Sequence, residues 1–383
     1  MLRRLVAAAS LAAASAQSSC ARRRLAVDDY DYYVDSYNKF QEAVDDSIDC
    51  GAGAILLEVD VTVTTPVEIY DGAAVTIAGR ECAWDQKFGD GTCDAENNVA
   101  DCLYDGGDCC VATCAGDGCP TTDADCDDDA PGDGDFLIPG SWSRALDGGG
   151  YGDKLDGGTQ ILWVSDAGTT LTLRHLVLYG GTCPNDICAN EVDGAAALYV
   201  DRGAAILDDV FMSHHFGSNV AAVAVVDGSL DWRGGGVTAT HAKKWGTVSV
   251  SGSSAAMFLR DVAIAHNEAC GVVARDGAFL NLTASNVTHN GLDNAAITQN
   301  TSPSDRFGGG VAIIEGATAT IAGCNVSYNA FPGGKSNQVE YFGGIAVYDF
   351  AEATISDTLV SYNEAQHERD GRTGAQAPSA PRA

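Results

Sequence analysis

The sequence predicts an all-β protein built as a parallel solenoid, in which short strands stack on their counterparts one repeat away. From about residue 192 onward, six segments each close a β-branched run with histidine or tyrosine, usually followed by asparagine. The segments are VFMSHH (210–215), VTATHA (237–242), VAIAHN (262–267), SNVTHN (285–290), NVSYN (325–329) and LVSYN (359–363). Glycine-led apolar runs such as GTVSVS and GGIAVYD precede them, with no helical period between, which favours stacked strands.

The repeat predicts a ladder of rings along one corner of the solenoid. The aligned positions are His214, His241, His266, His289, Tyr328 and Tyr362, and the two longest intervals between them contain polar insertions. If the repeats stack, neighbouring rings stand about one strand spacing apart, roughly 4.8 Å. A stacking ladder is the favoured interpretation. The alternative is a cluster of imidazoles that binds a transition metal or responds to mild acid.

The chain divides into six predicted segments. Residues 1–16 read as a signal peptide because Arg3 and Arg4 precede a short apolar run and a small-residue cleavage site. In order, the others are a linker (17–34), a capping helix with the first strands (35–80), a cysteine-rich insert (81–135), the main repeat (136–365) and a disordered tail (366–383). Val34, Tyr37, Phe40 and Val44 share one helical stripe, which predicts that this helix covers the open end of a solenoid core.

The composition limits the kinds of partner that the protein is expected to bind. The formal net charge is -31, which argues against a nucleic acid or an anionic membrane because like charges repel. After the signal peptide, no apolar run approaches the roughly 18 residues that span a bilayer, so we predict no transmembrane segment. Fourteen cysteines in an exported chain indicate disulfides. A secreted or cell-surface protein is therefore expected.

The repeat segments resemble those of right-handed parallel β-helix proteins of the pectin-lyase-like kind. The resemblance is strongest to the branch with paired GGA(I/V/L) and FxxN tetrapeptides, as in polymorphic outer membrane proteins. Here the matching pieces are GGVA (309–312), GGIA (343–346), IAHN, VTHN and two copies of VSYN. The resemblance implies a right-handed parallel β-helix over roughly residues 50–365, apart from the insert. It implies a fold far more strongly than an activity.

The insert KFGDGTCDAENNVADCLYDGGDCC (87–110) resembles a Lin12/Notch repeat, a small calcium-binding module held by disulfides. Carried over by position, the resemblance implies calcium held by Asp90, Asp105 and Asp108 and a carbonyl near Thr92, with Asp94 close by. It also implies bridges between Cys82 and Cys102 and between Cys93 and Cys109. Two further bridges of open pairing are expected among Cys110, Cys114, Cys119 and Cys126.

Other modifications are expected outside the insert. Cys20 and Cys50 flank the capping helix and are predicted to tie it down, and Cys183 and Cys188 are predicted to close a local loop. Cys270 and Cys324 are interpreted as buried free thiols or an irregular bridge. The four glycosylation sequons are at Asn281, Asn286, Asn300 and Asn325.

No linear catalytic signature is present: the sequence lacks G-x-S-x-G, G-x-x-x-x-G-K and H-E-x-x-H. Carboxylates and guanidiniums on neighbouring repeats are more typical of surface salt bridges; they are Asp208, Asp209, Arg260, Asp261, Arg275 and Asp276. We therefore assign no catalytic residue. The expected function is a calcium-stabilised binding or adhesion-type protein that recognises an extracellular glycan or protein. The alternative is a polysaccharide lyase or glycoside hydrolase.

Overall fold

A computed structural model describes ten stretches of the chain, which are residues 30–34, 36–57, 61–79, 154–157, 160–183, 194–217, 219–242, 246–291, 309–331 and 343–365. These residues are mostly β-structure with a single helix, α1 (Tyr37–Asp49). In this part of the chain, no helix has the length and hydropathy that crossing a membrane requires.

The strands are short and follow one another closely along the chain. The first fifteen are β1 (Tyr32–Val34), β2 (Ala52–Leu57), β3 (Val61–Val63), β4 (Val67–Ile69), β5 (Ala74–Ala78), β6 (Lys154–Gly157), β7 (Leu162–Val164), β8 (Thr170–Tyr179), β9 (Thr182–Cys183), β10 (Leu198–Asp201), β11 (Ala204–Ser213), β12 (Phe216–Gly217), β13 (Val220–Val226), β14 (Ser229–Thr238) and β15 (His241–Ala242). The others are β16 (Gly246–Ser251), β17 (Ala256–Arg260), β18 (Ala263–Ala265), β19 (Val272–Arg275), β20 (Phe279–Thr283), β21 (Asn286–Thr288), β22 (Val311–Ile313), β23 (Thr318–Ala322), β24 (Asn325–Ser327), β25 (Ala330–Phe331), β26 (Ile345–Val347), β27 (Glu352–Ser356), β28 (Leu359–Ser361) and β29 (Glu364–Ala365).

Two long parallel sheets carry the architecture. The 16-stranded sheet, sheet A, runs in the order β1-β2-β5-β8-β11-β14-β17-β20-β23-β27, with shorter strands branching from it. The eight-stranded sheet, sheet B, runs in the order β4-β7-β10-β13-β16-β19-β22-β26. Each strand pairs in parallel with the equivalent strand of the next repeat, as in the contacts of β13 with β16 and β14 with β17. This pattern fits a parallel solenoid, as the repeat predicts.

We call one sheet B strand, together with the sheet A strands that follow it along the chain, a rung. In the last four described rungs the sheet A portion splits into two strands, β17/β18, β20/β21, β23/β24 and β27/β28. Inward side chains of both sheets build one continuous apolar cluster. Leu198, Val223, Val248, Val272 and Val311 stack in register in sheet B and are all completely buried. Parallel strands buried on the inner face are rich in such residues because each rung must supply the same position in the core.

Helix α1 packs against the first strands of this core, at the place where the sequence predicts a capping helix. Phe40 and Val44 are completely buried and belong to the same apolar cluster as the strands. The helix ends at Asp49, and Gly51 follows with φ +74°, a conformation that glycine adopts without strain. Val34, which shares the predicted helical stripe, instead lies in β1 and pairs with Leu57 of β2.

A ladder of asparagines fixes one corner of the later rungs. Asn267, Asn290 and Asn329 are buried, and the amide Nδ2 of each donates to Oδ1 of the next asparagine, ending at Asn363. The Asn290 amide makes four bonds: Nδ2 donates to Ile264 O at 2.8 Å and Asn329 Oδ1 at 3.0 Å, and Oδ1 accepts from the backbone N and Nδ2 of Asn267. The residue before each ladder asparagine has a positive φ, which interrupts backbone pairing. The amides therefore replace the backbone bonds that the corner loses.

Asn290→Ala is expected to lower the free energy of unfolding by about 3 kcal/mol, because it leaves several buried donors and acceptors without partners. Asn286→Ala is the matched control, because Asn286 is exposed and lies on the same rung. It should change the free energy of unfolding by less than about 0.5 kcal/mol. Chemical denaturation of both variants checks this, and equal losses would contradict a structural role for the ladder.

Candidate ligand-binding face and ring ladder

The outer faces of the two sheets differ in exposure. On sheet B, the outward row that contains Tyr199, Ala224, Val273 and Ala312 is buried, with no more than 2% of any of these residues exposed. On sheet A, the outward residues in the first half of the strands, such as Thr172, Ile206 and Phe258, are half-buried or exposed, whereas Val177 and Phe211 further along β8 and β11 are buried. Of these two outer faces, the first half of the sheet A strands therefore offers the more exposed surface within the described residues.

One outward row of sheet A concentrates arginine. The row contains Arg174, Asp208, Arg233 and Arg260, which pair in register on the neighbouring strands β8, β11, β14 and β17. All four side chains are exposed. We call this set the arginine row. Three strand steps separate its ends, which corresponds to about 14 Å along the direction of stacking.

The guanidinium groups of the arginine row are not equally neutralised. Arg233 binds both carboxylate oxygens of Asp231, with Nε 3.2 Å from Oδ1 and Nη2 2.5 Å from Oδ2. Within the described stretches, Arg174 and Arg260 make no side-chain hydrogen bond or ion pair. By contrast, Arg202 pairs with Asp201 and Arg275 pairs with Asp276. The row thus holds two guanidiniums whose donors are available to a ligand.

Apolar side chains flank the arginine row on the same face. Ile206 and Phe258 lie on the adjacent outward row, and each is 39% exposed. The rings of Phe258 and Phe279 are 5.8 Å apart between centroids and inclined at 59°. The face therefore combines charged donors, carboxylate acceptors and a ring surface, a mixture that suits an amphiphilic ligand.

The structure places the six carboxylates and guanidiniums considered from the sequence in separate surroundings. Asp261 is exposed and has a positive φ at the turn after β17. Asp208 and Arg260 lie in the arginine row, two strands apart. Asp209 faces His175, with 3.8 Å between Oδ2 and Nδ1. Arg275 ends β19 and forms an ion pair with Asp276 at a different corner; the Arg275 side chain is buried and that of Asp276 is exposed, so this pair is not the expected surface salt bridge. Sequence reasoning missed Arg174 and Arg233, because nothing in the linear sequence marks them as neighbours.

The predicted ring ladder exists over the last four of its six positions. His266, His289, Tyr328 and Tyr362 stack in succession, with centroids 4.6, 5.0 and 4.9 Å apart and ring planes within 8°. The placement of His241 is wrong. Ala239, two residues earlier, has the positive φ of the ladder position, and His241 lies in β15, where its ring stacks on Phe216. His214 has the ladder conformation but packs against Tyr179 instead.

The geometry of the ladder favours stacking over metal binding. Face-to-face imidazoles direct their in-plane lone pairs alongside each other, and a metal ion requires two lone pairs that converge at about 2.0–2.1 Å. Burial lowers the pKa of His266 to about 4, with a further contribution from His289, whose own pKa burial also lowers. Both rings are therefore neutral at neutral pH. Within the described stretches, no group of three or more His, Cys, Asp or Glu could hold a metal.

His215 is a ladder residue that sequence reasoning missed. It is completely buried and occupies the asparagine position of its rung: Nδ1 accepts from Gly181 N at 3.0 Å, and Nε2 donates to Leu178 O at 2.9 Å. Asn267, two rungs further on, makes the same two bonds: its Oδ1 accepts from Thr240 N and its Nδ2 donates to Val237 O. The signal was present in the sequence, since His215 follows the positive-φ residue just as each asparagine does.

Protonation of His215 is disfavoured in the folded state. Burial, with a smaller contribution from the charge of His214, lowers its pKa to about 4. A proton on Nδ1 would also face the Gly181 N–H, which needs an acceptor. Because the pKa is depressed on folding, the stabilising contribution of neutral His215 is complete above the unfolded pKa near 6.5. It is lost as the pH falls from there toward 4.

His215→Asn is expected to keep the fold and to reduce acid destabilisation, because asparagine supplies the same acceptor and donor without titrating. Between pH 7 and 4, the variant should lose about 3 kcal/mol less unfolding free energy than the wild type. Denaturation at several pH values measures this, with His214→Asn as the neighbouring control. Equal pH dependence of wild type and His215→Asn would contradict the assignment.

The predicted modification sites fall partly within the described chain. Cys50 and Cys183 are disulfide-bonded, and their predicted partners, Cys20 and Cys188, lie outside the described residues. Cys270 and Cys324 are buried free thiols, and burial raises the pKa of Cys270 to about 12, so that thiol is unreactive. Asn286 is exposed, whereas Asn281 and Asn325 are half-buried on β20 and β24.

The remaining site residues lie outside the described stretches. They are the calcium ligands Asp90, Thr92, Asp94, Asp105 and Asp108, the insert cysteines Cys82, Cys93, Cys102, Cys109, Cys110, Cys114, Cys119 and Cys126, and the sequon residue Asn300. The predicted signal peptide and the tail at 366–383 also lie outside them.

Comparison with known proteins gives no relative from which to assign a function. No family model matches the chain, and neither a curated protein nor a solved structure matches it.

Proposed function

We propose that the chain is a secreted or cell-surface binding protein, a right-handed parallel β-helix that recognises an extracellular glycan along the outer face of sheet A. The observation that supports this most directly is the arginine row, in which Arg174 and Arg260 present guanidiniums without a partner in the described stretches, on one line of stacked strands. A glycan that lies along this line contacts equivalent positions of successive rungs at a constant spacing.

The chemistry of the face favours a glycan with isolated acidic groups over a densely charged polyanion. The three guanidiniums of the arginine row face two carboxylates, Asp208 and Asp231, so the local positive excess is small. The whole chain carries -31, and at physiological salt its field is screened beyond about 8 Å. A planar guanidinium binds a carboxylate through two donors, and Asp208 accepts from hydroxyl groups. Phe258 offers a ring to the apolar face of a sugar.

The double variant Arg174→Ala/Arg260→Ala is expected to weaken binding to uronate-containing oligosaccharides at least tenfold, because two charge-assisted contacts are lost. The change for neutral oligosaccharides should be smaller. Isothermal titration against a panel of neutral and uronate-containing oligosaccharides measures both. Arg202→Ala is the matched control, since it removes an exposed guanidinium that is already paired with Asp201. Binding that survives the double variant would contradict the placement of the site on this face, and absence of binding across the panel would contradict the glycan proposal.

A second candidate is a polysaccharide lyase, favoured by the pair His175 and Asp209 next to the arginine row. Their side chains approach to 3.8 Å and are partly exposed, and Arg174 and Asp208 are their neighbours in sequence. An imidazole beside a carboxylate is a suitable base for removing a proton next to a uronate, and a guanidinium neutralises the developing charge. Release of unsaturated uronides that His175→Ala abolishes would establish this activity, and turnover that is unchanged in His175→Ala would exclude that role for the pair.

We also propose that the insert at 81–135 is a calcium-stabilised module. The proposal depends on its likeness to a Lin12/Notch repeat and on its oxygen ligands, since carboxylate and carbonyl oxygens suit calcium. Of the ligand set, Asp105 and Asp108 flank two glycines in the stretch YDGGDCC.

Removal of calcium by a chelator should lower the midpoint of thermal unfolding of the insert, because its ordering depends on the ion. Calcium added in excess should restore the original midpoint. In Asp105→Asn/Asp108→Asn, the chelator should have no further effect. An unfolding curve of the wild type that does not change on chelation would contradict the calcium site.

A further inference from the structure

The sequon at Asn281 differs from the others in its surroundings. It lies in FLNLT (279–283), which forms β20. Alternation along the strand places Phe279, Asn281 and Thr283 on the outer face of sheet A, and the two leucines between them are completely buried in the core. Asn281 also pairs in register with Phe258 of β17, about 4.8 Å away across the sheet. The asparagine therefore has one ring beside it on its own strand and a second ring on the neighbouring strand.

The two rings form an angled apolar surface. Phe258 is 39% exposed and Phe279 is half-buried. Their centroids are 5.8 Å apart and their planes are inclined at 59°. On the other side, Asn281 pairs with Thr320 of β23, which has a small side chain. The apolar face of a sugar packs against a ring surface of this kind.

Asn281 itself contributes little to the sheet. Its side chain makes no hydrogen bond within the described stretches, and of its two amide atoms only Oδ1 is fully buried. Nδ2, the atom that bonds to a sugar, therefore reaches solvent. Asparagine is also depleted in strands, whereas its register partners are phenylalanine and threonine, which strands favour. The sheet thus does not require an asparagine at this position.

From this arrangement, we infer that Asn281 is an N-glycosylation site whose first sugar, an N-acetylglucosamine, packs against Phe279 and Phe258. The inference rests on the proposed secretion, and it goes beyond the sequon by assigning the site and the contact. In the transfer, Nδ2 bonds to the anomeric carbon of a lipid-pyrophosphate-linked oligosaccharide. The bond from that carbon to the pyrophosphate oxygen breaks, the lipid pyrophosphate leaves, and the amide loses one proton.

The other three sequons lack a ring at the equivalent position. The residue two places before the asparagine is Ala284 for Asn286, Thr298 for Asn300 and Gly323 for Asn325. Asn286 is exposed and pairs in register with Ala263 of β18, so a sugar attached there has no ring on the neighbouring strand either. Asn286 is therefore the matched comparison for Asn281.

The attached sugar shares the face on which the proposed ligand binds. Phe258 and Arg260 are two residues apart on β17, and Thr283 of the sequon pairs in register with Arg260. A sugar on Phe258 covers ring surface that a free glycan would otherwise contact. Arg174, at the other end of the arginine row, lies three strands away and stays accessible. The protein's own glycan therefore limits one end of the ligand-binding face.

The first test measures occupancy in the full-length chain, secreted from a mammalian cell line behind a leader that is known to direct secretion. Glycopeptide mass spectrometry is expected to find a glycan on Asn281. An unmodified Asn281 would overturn the inference. The chain with its own residues 1–16 is expressed in parallel. If that form alone is not secreted, the result contradicts the proposed localisation and leaves the assignment of Asn281 unaffected.

The second test measures the contact, with every glycan trimmed enzymatically to a single N-acetylglucosamine. Asn281→Gln is expected to lower the folding equilibrium constant about fivefold in the wild-type background, because the stacked sugar is lost. In the Phe279→Ala background the same change should be less than about twofold. Chemical denaturation measures both. Since each comparison is made within one background, the cost of Phe279→Ala itself cancels.

Asn286→Gln is the control, and it should change the folding equilibrium constant by less than about twofold in either background. Phe258→Ala repeats the cycle with the second ring, so the test does not depend on one variant remaining folded. Equal effects of Asn281→Gln in the wild type and in both ring variants would overturn the contact.

Discussion

The constraint on which the rest of the structure depends is the register of parallel pairing between equivalent residues of successive rungs. Because each strand bonds to its counterpart in the next repeat, every position along a rung becomes a row of like residues. Apolar rows fill the core, and the asparagine row supplies bonds at the corner where a positive φ interrupts the backbone pairing. If the pairing register of a strand shifted by one residue, its inward and outward side chains would exchange faces, and every row would be interrupted at that strand.

The same constraint explains why the candidate site is a row and not a pocket. Arg174, Asp208, Arg233 and Arg260 belong to four different rungs and are far apart in the sequence, yet each occupies the same outward position on its strand. The neighbouring row places Ile206 and Phe258 beside them, with exposed apolar surface. A surface of this form suits ligands that are themselves extended and periodic. Within the described residues, this outer row of sheet B is buried, whereas these rows of sheet A expose side chains to such a ligand.

The sequence predicts the strand repeat, the capping helix and the ring ladder because each depends on local patterns of glycine, β-branched residues and aromatic residues. It misplaces His241 because residue type alone does not reveal rung length, and the ladder position of that rung falls at Ala239 instead. The arginine row could not be predicted from the sequence, because its members are 25 to 34 residues apart and become neighbours only through the pairing of strands from rungs of unequal length. His215 was missed for a related reason, because a histidine there makes the bonds that an asparagine makes in later rungs.

Direct measurement of the register tests the account most sharply. Spin labels at Thr170→Cys and Thr318→Cys would lie on one outward row, five strand steps apart, although the two positions are distant in the sequence. The free thiols Cys270 and Cys324 are buried and should not react with the label. Double electron–electron resonance should give a narrow distribution centred on a backbone separation of about 24 Å. A broad distribution, or a mean far beyond that value, would contradict the stacked rungs and every site built upon them.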